Sequence, residues 1–135
     1  MSLITWDDKF SVDIGEVDQQ HQRLVDIINE LHDAMKAGQG KNVLGKILLE
    51  LIQYTGSHFA AEEKYFIEFK YPDAEAHKKE HVYFVQKVLD FKEEFEQGRM
   101  TVSIELLYFL RDWLMKHIKV SDKKYAPLFQ EKGLK

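Results

Sequence analysis

The chain has 135 residues, 44% hydrophobic and 31% charged, with 19 Lys and Arg against 23 Asp and Glu for a formal charge of -4, and it contains no cysteine. That length suits one domain with a single core. The missing cysteines exclude disulfides, thiolate metal sites, iron–sulfur clusters and a cysteine nucleophile, and basic residues scattered along a slightly acidic chain give no footprint for nucleic acid.

The amino terminus, Met1 to Lys9, lacks the charged-then-apolar order of a secretory signal, and no apolar run approaches the ~20 residues a membrane span needs, so a cytoplasmic address without a membrane span is expected. Residues 1–17 have no helical period. Trp6, Phe10, Val12, Ile14 and Val17 among polar neighbours predict an extended arm whose apolar side chains lie against helices. Asp18 is the expected N-cap of a first helix over about 18–37, on which His21, Leu24, Ile28, Leu31 and Met35 recur at steps of three and four. Gly38 to Gly40 should end it.

A second helix, about 42–67, places Leu44, Ile47, Leu48, Leu51, Thr55, His58 and Glu62 on its inner face. Pro72 and Asp73 open a third, to about 97, with His77, His81, Phe84, Val88 and Phe95 inward. Gly98 breaks the chain, Thr101 or Ser103 can cap a fourth helix over about 103–118, and Leu106, Leu107, Leu110, Leu114 and His117 form its apolar face. The tail after Lys123 is expected to make a short terminal helical segment packed back by Tyr125, Leu128 and Phe129.

Four helices joined by short loops should pack as an all-α, up-down-up-down four-helix bundle. In that topology the start of the first helix, the end of the second, the start of the third and the end of the fourth meet at one end. His21, His58, Glu62, His77, His81 and His117 occupy those four places. A lone histidine on an apolar face is ordinarily a hydrogen-bonded core residue, but burying several imidazoles and carboxylates together costs several kcal/mol unless they are paired or hold a cation. A metal site built from nitrogen and oxygen is therefore expected here.

Asp122 follows His117 by five residues, about 140° round a regular helix, so it reaches the same site only if the helix loosens there. His32 lies eleven residues beyond His21, roughly 16 Å along the axis, and is expected to be a core or edge histidine bonded to a neighbour. Glu63 and Glu80 adjoin ligands but point off the ligand face, which favours solvated surface positions over support of the ligands. The chain has no His-Glu-x-x-His, no glycine-rich phosphate loop, no Gly-x-Ser-x-Gly and no Glu-x-x-His pair of carboxylate-rich di-iron oxidases.

Trp6-Asp-Asp-Lys-Phe-Ser-Val, Asp18-Gln-Gln-His21, His58-x-x-x-Glu62, His77-x-x-x-His81 and His117-x-x-x-x-Asp122, in this order, resemble the hemerythrin family in its single-domain bacterial form, over nearly the whole chain. The resemblance implies that residues 1–135 form one di-iron domain. It implies that His77, His81 and His117 bind one iron, that His21 and His58 bind the other, and that Glu62 and Asp122 bridge them. With about six positions per iron, five imidazoles, two bridging carboxylates and a bridging oxo or hydroxo group leave one position open, on the iron with two histidines. Family members bind dioxygen end-on at that position and release it again. Leu114 is the residue expected to line the open position, with Trp113 and Phe59 packed further out.

Reversible dioxygen binding for storage, delivery or scavenging is thus the expected function, without enzymatic turnover beyond weak di-iron redox activity. The expected protein is a monomer, with an O2-consuming enzyme as a candidate recipient. The competing readings are a di-iron oxidase, peroxidase or nitric-oxide reductase, for which no extra acid or base is evident, and an O2 or redox sensor acting through a separate partner.

Overall fold

A computed structural model describes residues 6, 10–98 and 102–134. Apolar residues at helical spacing form α1 (Gly15–Lys36), α2 (Gly40–Glu68), α3 (Ala74–Glu96) and α4 (Val102–Trp113), and α4 runs on without a break through a π-helical segment, Leu114–Asp122, into α5 (Lys123–Glu131). Each of the first four helices packs on the next and α4 returns to α1, closing the expected four-helix bundle. No strand occurs among the described residues.

The helix ends differ from expectation in ways that bear on the site. Asp18 does not cap α1, which begins three residues earlier. Its carboxylate instead accepts the Val12 N–H at 2.8 Å and the Ser11 hydroxyl at 2.5 Å, fastening the arm to the first turn. After α1 the chain reverses at Gly38, whose φ of 75° is the left-handed conformation that ends helices without steric cost in glycine. At Gly40 a Cβ would stand 2.9 Å from the Met35 Cγ, so any side chain at this α1–α2 corner would have to displace that of Met35. Of the two expected caps of α4, Thr101 lies outside the described residues, and Ser103 falls within the first turn rather than at the cap.

The bundle has two unlike ends. Leu44, Ile47, Leu48, Leu51, Val88, Leu106 and Leu110, all buried, fill one end as a conventional aliphatic core. At the other end the described part of the arm and α5 fold over the helix termini, where Val12, Ile14, Val17, Phe66, Tyr71, Tyr125 and Phe129 form a second buried cluster. Gln130 donates to the carbonyls of Val12 and Asp13 at 3.4 and 3.3 Å, joining arm to α5. Between the two apolar regions lies a buried polar layer.

Candidate metal centre

Among the described residues, seven of the eight buried polar or charged ones make up that layer: His21 from α1, His58 and Glu62 from α2, His77 and His81 from α3, and His117 and Asp122 from the π-helical segment. Their side chains form two overlapping groups, Glu62 with His77, His81 and His117, and Glu62 with His21, His58 and Asp122. Within each group the candidate ligand atoms all lie within 4.8 Å of one another.

The carboxylates sit between the imidazoles. Asp122 Oδ1 is 2.8 Å from His77 Nε2 and 3.0 Å from His117 Nε2, whereas its Oδ2 is 2.9 Å from His21 Nε2. Glu62 Oε1 lies 3.1 Å from His81 Nε2 and 3.2 Å from His58 Nε2. Each carboxylate thus touches histidines of both groups, the placement a shared ligand would need.

Asp122 arrives there because the helix does loosen. A π-helix closes its hydrogen bonds from i to i+5, so five residues make about one turn and His117 and Asp122 come to one face. In α2 and α3 the regular α-helix does the same for the four-residue steps His58 to Glu62 and His77 to His81.

The layer is charged. Burial and the nearby Asp122 push the Glu62 carboxyl up, but the imidazoles of His58 and His81 outweigh them and hold it below the ordinary carboxylate range. Burial likewise opposes ionisation of Asp122, and His117, His21 and His77 override it. Burial would lower His117, yet the charge of Asp122 and hydrogen bonds from its ring nitrogens raise it to about 9. Two buried anions therefore demand cations beside them.

Both ring nitrogens of His21, the Nε2 atoms of His77, His81 and His117, Glu62 Oε1 and both Asp122 oxygens are buried, and apart from the 2.8–3.2 Å contacts between imidazoles and carboxylates none of them has a partner among the described residues. Nitrogen and carboxylate-oxygen donors gathered within 4.8 Å of one another in each group fit divalent transition metals.

Around this layer runs a second one that orients it. His81 Nδ1 bonds Glu63 at 3.0 Å, His117 Nδ1 bonds Glu80 at 3.0 Å, and Glu80 also accepts the Ser121 hydroxyl at 2.8 Å. His58 Nδ1 bonds Gln20, and the Tyr125 hydroxyl donates to Glu62 Oε2. Glu63 and Glu80 are thus not merely solvated, as their positions off the ligand face had suggested. Each stands next to a ligand in sequence but about 100° round the helix, which points it at a ligand of the neighbouring helix. Gln20, beside His21, obeys the same geometry and was missed; its sequence neighbour was the available signal.

Aromatic rings wall the imidazoles. Phe59 stacks on His81 with centroids 3.8 Å apart and planes at 4°, Trp113 on His117 at 3.9 Å and 13°, and Tyr54 on His58 at 5.1 Å and 16°. Leu114, fully buried, opens the π-helical segment. His32 stands apart from both groups, half-buried, its Nδ1 3.8 Å from Asp33 and without the hydrogen bond expected of it among the described residues. No described helix is long and apolar enough to cross a membrane.

Comparison with known proteins agrees with this geometry. Residues 12–129 match the family model described as the hemerythrin HHE cation binding domain. The chain is 38% identical to a bacteriohemerythrin of Methylococcus capsulatus over 128 residues, 94% of this chain and 97% of the relative. It is 37% identical to a bacteriohemerythrin of Stenotrophomonas maltophilia over 126 residues, covering 93% and 81% respectively. Among solved structures, wild-type hemerythrin superposes with a TM-score of 0.84 at 37% identity over 94% of this chain and 98% of that one, and a leucine-to-alanine hemerythrin variant with 0.85 at 36% identity over 95% and 98%. With its fold, its order of buried histidines and carboxylates and its relatives in agreement, the chain belongs to the hemerythrin family.

Proposed function

We propose that this protein binds dioxygen reversibly at a non-haem di-iron centre, as a carrier, store or scavenger and not as an enzyme. The observation that carries the reading is the convergence of seven buried side chains into two groups that share Glu62, with Asp122 of one group also touching His77 and His117 of the other. His77, His81 and His117 would hold one iron and His21 and His58 the other, with Glu62 and Asp122 shared between them. Bound there, an iron pair would supply reversible electron exchange with O2.

The chain's own residues decide whether that exchange ends in release or in turnover. Imidazoles, which are neutral when they hold a metal, outnumber carboxylates five to two, and this moderates stabilisation of highly oxidised iron. Leu114 and the rings of Phe59, Trp113 and Tyr54 keep bulk water, and so external protons, away from the inner atoms. Release of unreduced O2 to a recipient such as an O2-consuming enzyme is the outcome these features favour. We further place the protein in the cytoplasm as a monomer.

The test is an anaerobic optical titration of the iron-loaded, reduced protein with O2, followed by removal of the gas. A visible charge-transfer band that comes and goes over repeated cycles is the expected result. One-way oxidation, or product accumulating over many turnovers, would replace the carrier by a sensor or an oxidase.

A further inference from the structure

The two halves of the centre are not supported alike. On the side of His77, His81 and His117, two of the three imidazoles give their Nδ1 to a carboxylate, His81 to Glu63 and His117 to Glu80. Glu80 is itself fixed by the Ser121 hydroxyl at 2.8 Å. On the side of His21 and His58, among the described residues, the only hydrogen bond to an outer ring nitrogen joins the neutral amide of Gln20 to His58, and His21 Nδ1 is buried with no hydrogen-bond partner. A carboxylate on the outer nitrogen makes an imidazole a stronger donor and holds its orientation, an effect typically worth 10–100-fold in metal affinity. The better-supported side also has the extra histidine.

We infer that the centre fills in a fixed order, the three-histidine position first and the two-histidine position second, with Glu63 and Glu80 as the positioning residues that set the gap. Filling the first position makes the second harder to fill, because the first ion already draws on Glu62 and Asp122, which both positions share, and repels a second dication. A one-metal form therefore accumulates when metal is scarce. In that form the two-histidine position, the one assigned to O2, is empty, so O2 binding by the protein would follow metal supply as a threshold instead of in proportion. This rests on the reading of the cluster as a two-metal site.

The test is calorimetric titration of the metal-stripped full chain with Co2+, with the electron paramagnetic resonance of each addition recorded. Two resolved steps are expected. The first equivalent should give the signal of an isolated high-spin ion, and the second should broaden or abolish it through coupling. Glu80→Gln and Glu63→Gln keep an oxygen acceptor in place and remove the charge; each should weaken the first step about 10–100-fold while moving the second much less. Both side chains are partly exposed, at 41% and 35%, so folding is not at stake, which equal melting temperatures of the stripped variants would verify. Gln20→Glu supplies the missing carboxylate and should tighten the second step, narrowing the gap.

Two ions entering in one unresolved step, or Glu80→Gln acting on the second step alone, overturns the order while leaving a two-metal centre intact. Binding of fewer than two ions overturns the proposed function and this inference with it.

Discussion

The two ends of the bundle are built on opposite principles. At the end holding Leu44, Leu48 and Leu110, each helix contributes aliphatic side chains whose burial stabilises the fold under any solution condition that leaves water outside. At the other end the same four helices contribute imidazoles and carboxylates, whose burial is unfavourable until a cation joins them. Stability is therefore stored at one end and conditional at the other. The arm and α5, packed over the conditional end, depend on it in turn.

Metal removal is the strongest way to expose that difference. With each ion present at about 1,000 times its dissociation constant, linkage adds about 4 kcal/mol per site to the folded state. Stripping both should lower unfolding free energy by roughly twice that, measured by urea denaturation. Amide exchange should localise the loss, with amides of 54–62, 77–81 and 114–125 losing protection and those of 44–51 and 84–91 keeping it. Uniform loss of protection along every helix would mean that the bundle is one cooperative unit and that the two ends are not energetically separate.

The next largest effect lies at the unconditional end. Leu48 is 1% exposed and precedes His58 by ten residues, about 15 Å along the helix axis. Leu48→Ala should cost about 2–5 kcal/mol through lost burial and the cavity left behind. The informative comparison is between preparations: the cost should be the same in loaded and stripped protein, with unchanged metal stoichiometry. A cost that grows on stripping would show that the apolar end leans on the metal layer.

Tyr125→Phe works at the conditional end and tests its outer support. The Tyr125 ring is fully buried beside Phe129, and its hydroxyl, kept protonated by burial and by the charge of Glu62, donates to that carboxylate. Hydrogen bonds to charged groups contribute about 1.5–3 kcal/mol. The substitution should therefore destabilise the stripped protein by about 2 kcal/mol, and the loaded protein by less because metal takes over the charge of Glu62. Equal effects in both forms would assign the residue to packing alone.

Much of this contrast was legible in the sequence, and the reason is period. Apolar residues at steps of three and four, mainly leucine and isoleucine in α1, α2 and α4 and Phe84, Val88 and Phe91 in α3, mark the core faces of the helices, and His58 to Glu62 and His77 to His81 use the same step, so ordinary helix geometry predicts their convergence. Asp122 breaks the step. Its inclusion depended on a local change of helix type, which the five-residue gap hinted at and only the π-helical segment explains. The outer bonds were less visible because they join residues far apart in the chain: Gln20 to His58, Glu63 to His81 and Glu80 to His117 each cross between helices. Rotation by about 100° from a ligand indicates which way such a residue faces, but which neighbour it meets depends on helix packing. The start of α1 was misplaced for a related reason. Asp18 has the chemistry of a cap, and it spends that chemistry on the arm.

The smallest effect expected falls at the seam between the two ends. Tyr54 stands one turn before His58 in α2, its ring stacked on that imidazole and belonging to the main apolar cluster, while its hydroxyl is buried with no hydrogen-bond partner among the described residues. Burial first, then the charges of Glu62 and Asp122, push the phenol well above its ordinary value, so the group stays a neutral O–H. A buried donor without an acceptor costs about 1–3 kcal/mol, and phenylalanine keeps the ring while removing the donor. Tyr54→Phe should therefore leave stability unchanged or raise it by about 1 kcal/mol, read from urea denaturation of stripped protein. A loss of 1 kcal/mol or more would reveal an acceptor for that hydroxyl and move Tyr54 from the apolar end into the polar layer, shifting the boundary between the two by one helical turn.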